Sequence, residues 1–176
     1  MMRGRRTWRP GSKVAVSRIL FFVGILAVAG TIAVFRGSNE GGCVPKQFPD
    51  KWLEAQESAG GHTIARHVGK ADQWLVERLA KQPKIHAASS FTDLENARLS
   101  IRAALSQHRS RINNWAASSR PKKRRTWDYD GQYFIGRVVE RGIAPGPVAK
   151  STDLKVVFEA DGNGGCTLLT AYPIQE

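Results

Sequence analysis

Two of the four histidines of this chain stand five residues apart, at His62 and His67. Histidine titrates nearest to neutral pH, so it is the first side chain to consider for moving protons. Residues 60–78 read Gly-Gly-His-Thr-Ile-Ala-Arg-His-Val-Gly-Lys-Ala-Asp-Gln-Trp-Leu-Val-Glu-Arg. The flanking glycines allow a tight turn or a close approach of backbone to a ligand. The spacing excludes a zinc pair on one helix, which needs histidines at i and i+4 with a glutamate beside the first. Five residues rotate a helix by roughly 140°, and odd spacing on a strand places side chains on opposite faces. In regular structure the two histidines therefore diverge. One of them does the chemistry and the other supports the turn.

His67 and Arg78 are 11 residues apart. A continuous helix would leave them roughly 16 Å apart along its axis, too far for one small site. Gly69 disfavours such a helix. The sequence instead predicts a turn at Gly69 and Lys70 and a helix from near Ala71, with Arg78 folding back toward His67. Trp74, four residues before Arg78, would cover its guanidinium. On residue type alone the blander reading, a core histidine and a surface arginine, is preferred. At the other end of the chain, Thr170 and Tyr172 fall on one face of a strand by its period of two. A hydroxyl and a phenol pointing together could line a site, or simply decorate a sheet.

Residues 120–125, Arg-Pro-Lys-Lys-Arg-Arg, pack five positive charges into six positions. Such runs attract phosphate without reading sequence, so Lys122, Lys123, Arg124 and Arg125 are candidate RNA contacts. Trp127, Tyr129 and Tyr133 could stack bases beside them. A solvated loop is the competing reading, supported by the proline and serines around it. The 15 carboxylates are scattered, so no metal site is expected.

These residues need elements to position them. The chain has 176 residues and a net charge of +12, enough for one domain and an appendage. The first 36 residues hold seven basic side chains and no acid. Residues 19–35 are uncharged and apolar, roughly 25 Å long as a helix and near the lower limit for a membrane span. They read as a retained anchor behind a basic tail, 1–18. Signal cleavage at Ala27-Val28-Ala29 is the alternative. Either way the basic residues hold the N-terminus in the cytoplasm and place the remainder outside, in the periplasm or medium. A linker, 36–49, leads to a domain at 50–176. Outside the cytoplasm the chain's two cysteines, Cys43 in the linker and Cys166 in the last strand, are free to form a disulfide.

Helices are predicted over 51–58, capped by Asp50, over 71–81, stopped by Pro83, and from a capping box at Thr92-Asp-Leu-Glu95 to about His108. Leu94, Ala97, Ile101 and Leu105 form the buried stripe of the last. A further turn at 111–117 presents Ile112 and Trp115. Strands follow over 132–140, 154–159 and 166–174, the last two flanking the turn Asp161-Gly-Asn-Gly-Gly165. Helices first and a sheet last make an α+β domain.

Taken together, Gly-Gly-His62-Thr-Ile-Ala-Arg-His67-Val-Gly-Lys, Ala-Ser-Ser-Phe-Thr (88–92), Ile-Gly-Arg (135–137) and Leu-Thr-Ala-Tyr-Pro (169–173) resemble the bacterial ribonuclease A-like toxin domains. These end contact-dependent growth inhibition proteins and other polymorphic toxins. The resemblance spans about 52–174, with several blocks in order. It implies a kidney-shaped α+β fold and RNA cleavage without metal or cofactor. His67 matches the family's catalytic histidine, Arg78 its active-site arginine, and Thr170 and Tyr172 its C-terminal pair; His62 belongs to the same motif, with a less defined role. An RNA substrate and a cognate immunity protein are the implied partners, besides the membrane reached by the N-terminal segment. The basic run and the apolar segment depart from the family's usual setting. The rival reading is a membrane-anchored polyanion-binding or adaptor module, which would not need His67, Arg78, Thr170 and Tyr172 together.

Overall fold

The computed structural model describes residues 42–142 and 148–175. The tail at 1–18, the apolar segment at 19–35 and the start of the linker lie outside these residues. Among the described residues no helix is long and apolar enough to cross a membrane.

Three short helices open the domain: α1 (Trp52–Ser58), α2 (Thr63–His67) and α3 (Asp72–Lys81). Strand β1 (Ala87–Phe91) precedes the long helix α4 (Leu94–Ser118). Five strands follow: β2 (Arg124–Tyr129), β3 (Gly136–Glu140), β4 (Ala149–Ser151), β5 (Asp153–Ala160) and β6 (Cys166–Ile174). They form two antiparallel sheets, ordered β1-β3-β4 and β2-β5-β6. The α+β class holds, with one strand earlier than the sequence suggested.

Strand β5 alternates strictly, with Leu154, Val156, Phe158 and Ala160 buried. They meet Ile101, Leu105, Ile112 and Trp115 of α4 in the main core. Trp127 joins them edge-on, 5.2 Å from Trp115 and 6.1 Å from Phe158 between ring centroids. This corrects the role of Trp127 as a base-stacking residue: at 8 % exposure its ring belongs to the core. A smaller cluster of Leu75, Leu79 and Ala88 joins α3 to β1.

Several boundaries differ from expectation. Helix α4 is continuous through 25 residues, because Ile112, Trp115 and Ala116 extend the stripe of Ala97, Ile101 and Leu105 with no Gly or Pro to interrupt it. Its cap is Asp93, whose Oδ1 accepts from the Asn96 N–H at 2.8 Å. Thr92 instead donates to the Asp93 carboxylate, so the cap lies one residue later than predicted, and Asn96 donates to the Phe134 carbonyl at 3.4 Å instead of closing a capping box. Lys51 rather than Asp50 precedes α1, and no side chain caps it. Strands β1, β2 and β4 carried no clear period. In β1, Ala88, Ser89, Ser90 and Phe91 are all buried, which removes the alternation a half-buried strand would show. The strand expected over 132–140 begins only at Gly136.

Cys43 and Cys166 are disulfide-bonded, with Cα atoms 5.0 Å apart and a sequence separation of 123. Asn113 of α4 secures the neighbouring backbone, accepting from the Val44 N–H at 2.7 Å and donating to its carbonyl at 3.4 Å. The bond anchors the linker to the first residue of β6.

Candidate active site

Helix α2 is five residues long and could not persist alone. The Glu57 carboxylate accepts from the Ile64 and Ala65 N–H groups, each at 2.9 Å, placing negative charge on the helix N-terminus. Two bonds then sew α2 across β6. The His62 N–H donates to the Leu169 carbonyl at 2.8 Å, and the Ala171 N–H donates to Thr63 Oγ1 at 2.9 Å. The last residue of α2, His67, is thereby pressed against the site-bearing end of β6.

The His67 ring stacks on Tyr172, with centroids 5.1 Å apart and planes at 27°. Its Nδ1 lies 3.0 Å from the Ser89 carbonyl oxygen. A carbonyl can only accept, so Nδ1 carries the proton and Nε2 is left with the lone pair. Burial pushes the His67 pKa down to about 4; the Ser89 bond opposes this, and the positive charge of Arg78, His62 and Arg66 adds to it. At neutral pH the ring is an uncharged base.

Gly69 has φ +65°, the left-handed turn that redirects the chain between α2 and α3. Arg78 comes back as expected, close enough for its charge to act on both His67 and His62. Burial, then Arg66, lowers its own pKa. Its guanidinium lies 5.5 Å from the Trp74 ring centre. Arg78 Nη1 is buried without a hydrogen-bond partner among the described residues.

Thr170 and Tyr172 share a face of β6, opposite Val157 and Lys155 of β5. Thr170 is 8 % exposed, and its Oγ1 also has no partner among the described residues. The Tyr172 pKa is raised, first by burial, with Asp128 adding to the rise and Lys155 opposing it. The phenol thus stays protonated as a donor. His62 is half-buried just outside α2, where burial and then Arg66 lower its pKa while Glu57 opposes them. His62 precedes the helix instead of belonging to it, and its charge reaches the buried His67.

The model of the bacterial CdiA-CT RNase A domain matches residues 61–173. The chain belongs to this family. A similar chain occurs in the crystal structure of a CdiA-CT/CdiI complex from Y. kristensenii. It is 29 % identical, with a TM-score of 0.58, and the likeness covers 65 % of this chain and 100 % of that one. No curated protein matches. The domain is therefore an RNase A-like toxin domain of α+β class, with three helices, a strand and a fourth helix before the remaining antiparallel strands.

In this CdiA-CT RNase A domain the basic run is divided. Lys122, with φ 62°, and Lys123 sit exposed in the turn before β2. Arg124 pairs with Glu159, Nε to Oε2 at 2.7 Å, and its charge reaches His62. Arg125 lies over the Trp127 ring at 5.4 Å. Tyr129 packs against the core, while Tyr133 is 80 % exposed. The sequence reading missed Ser89, Glu57, and the Lys155–Asp128 pair at 3.3 Å beside Tyr172. The first acts through its backbone and the others through cross-element contacts, so residue type offered no signal.

Proposed function

We propose that the domain cleaves RNA without a metal ion, by attack of the 2′-hydroxyl on the adjacent phosphate. His67 Nε2 takes the 2′-hydroxyl proton as the 2′-oxygen bonds to phosphorus. Arg78 stabilises the charge that develops on the phosphate oxygens. Thr170 and Tyr172 donate hydrogen bonds that place the phosphate. The 5′-oxygen leaves with a proton from His62 or Tyr172, and the product is a 2′,3′-cyclic phosphate. One observation carries the reading: a buried, neutral imidazole stacked on Tyr172 stands beside two buried donors, Arg78 Nη1 and Thr170 Oγ1, that no described residue engages.

The test is to incubate the full chain with total RNA, including transfer RNA, in EDTA. Cleavage with cyclic-phosphate ends supports the reading, and its loss in His67→Ala assigns the base. Cleavage that needs an added divalent ion would refute the metal-free route.

The neighbouring structure contains CdiI, and we read a CdiI-like immunity protein as this domain's partner. For residues 1–35 we retain a single-pass anchor with the domain outside the cytoplasm, resting on the charge asymmetry around the apolar segment. A reporter fused after Glu176 should be active only outside the cytoplasm. Lys122 and Lys123 would hold RNA away from the reacting phosphate. The non-enzymatic polyanion-binding reading has these same two lysines in its favour, and it is the outcome if RNA binds but is never cut.

A further inference from the structure

Lys70 and Arg78 share one ring. Lys70 Nζ and Arg78 Cζ each lie 5.5 Å from the centre of Trp74. The surrounding backbone fixes this placement. Gly69 turns the chain at φ +65°, the Lys70 N–H donates to Ser90 Oγ at 2.9 Å, and the Lys70 carbonyl accepts from Arg137 Nη2 at 3.5 Å. Asp72, the acid nearest Lys70 in sequence, is engaged by Arg137, Nη1 to Oδ1 at 2.9 Å. Among the described residues neither Lys70 nor Arg78 has a carboxylate within ion-pair distance. Two like charges held at one aromatic ring repel each other unless an anion joins them. A partly exposed tryptophan between two cations is also a surface on which a nucleic acid can rest.

We propose that Lys70 and Trp74 form a second phosphate subsite, which rests on the ribonuclease reading above. Arg78, with its buried Nη1, serves the phosphate that reacts. Lys70, half-exposed and a flexible point charge, binds the next phosphate along the same strand. Trp74 is a positioning residue that keeps the two cations apart at a fixed distance.

The experiment compares two RNA substrates, a dinucleotide with a single phosphodiester and a tetranucleotide containing the same cleaved step. Lys70→Ala should raise KM for the tetranucleotide several-fold with kcat unchanged, and leave the dinucleotide unaffected. The salt slope of tetranucleotide binding, measured on the His67→Ala background, should shrink by about 0.7 for the one lost contact. Trp74→Leu should lower kcat/KM on both substrates by releasing Arg78, and Trp74→Phe should restore most of it. Trp74 is 38 % exposed, so its removal should leave cooperative unfolding intact. Equal losses on both substrates in Lys70→Ala, or none on either, would overturn the subsite. A Phe variant no better than Leu would remove Trp74 from it. A wild-type chain that cuts neither these substrates nor total RNA would refute the ribonuclease reading alone, and the binding slope would still decide the role of Lys70.

Discussion

His67 combines burial with a single fixed hydrogen bond, and both have measurable consequences. A base whose pKa is about 4 stays unprotonated across the neutral range. The acid limb of kcat/KM should therefore fall near pH 4; a limb near 6.5 would mean that the ring is solvated and the base lies elsewhere. Stability carries the same signature. The unfolded chain takes up this proton near pH 6.5 and the folded chain only near 4, so between those values the unfolded state binds more protons and stability rises with pH. Above pH 6.5 the effect vanishes, and below pH 4 it has cost roughly 3 kcal/mol. His67→Ala should flatten that slope in urea titrations between pH 4 and 6.5. It should also lower EDTA-resistant cleavage by at least about 100-fold, the usual scale for a lost general base.

The weakest element of the site is α2, which relies on Glu57 at one end and β6 along its side. Glu57→Ala removes two charge-assisted bonds to the first turn and should destabilise the domain by about 1–2 kcal/mol. Activity should fall further than stability, because loosening the five-residue α2 also displaces His67 at its far end; equal losses would show that α2 is held by β6 alone. The seam between the two sheets is equally unforgiving. At Gly136 an added Cβ would collide with the Ser90 carbonyl oxygen and come within 2.7 Å of Pro173 Cγ. Gly136→Ala should cost about 1–3 kcal/mol by overpacking. It should also reduce kcat under conditions where the domain remains folded, by shifting the Ser89 carbonyl that orients His67. Full kcat in the folded variant would separate strand β1 from the base.

Across the whole domain, the Cys43–Cys166 bond closes a loop of more than 100 residues. In the chain-entropy model such a loop contributes about 4–5 kcal/mol. Unfolding free energies from denaturant titrations with and without reductant should differ by that amount, and Cys43→Ser should abolish the difference. An unchanged midpoint would mean that packing of Val44 and Asn113 suffices. The charged turn acts on the same scale, through long-range attraction. Lys122→Ser with Lys123→Ser should reduce the salt slope of RNA binding by about 1.4, with single-turnover cleavage unchanged. A fall in the cleavage rate would draw that turn into the reacting site.

The amino-acid sequence by itself determined the α+β class, the turn at Gly69, helix α3 with Trp74 over Arg78, and the β5–β6 hairpin. Each follows from local physics: glycine at positive φ, a 3.6-residue period, a strict alternation. It also named His67, Arg78, Thr170 and Tyr172, through ordered blocks that resemble a known family. Tertiary structure decided what those side chains can do. Only the fold buries His67 against Tyr172, fixes its tautomer through a backbone carbonyl 22 residues away, and lets Arg78 act on both histidines. Only the fold turned Trp127 inward and engaged Arg124, because the neighbours that claim them, Trp115, Phe158 and Glu159, lie on other elements. A local pattern specifies the direction of a side chain along its own element. The dielectric, hydrogen-bond partner and charge that it meets are set by residues distant in sequence.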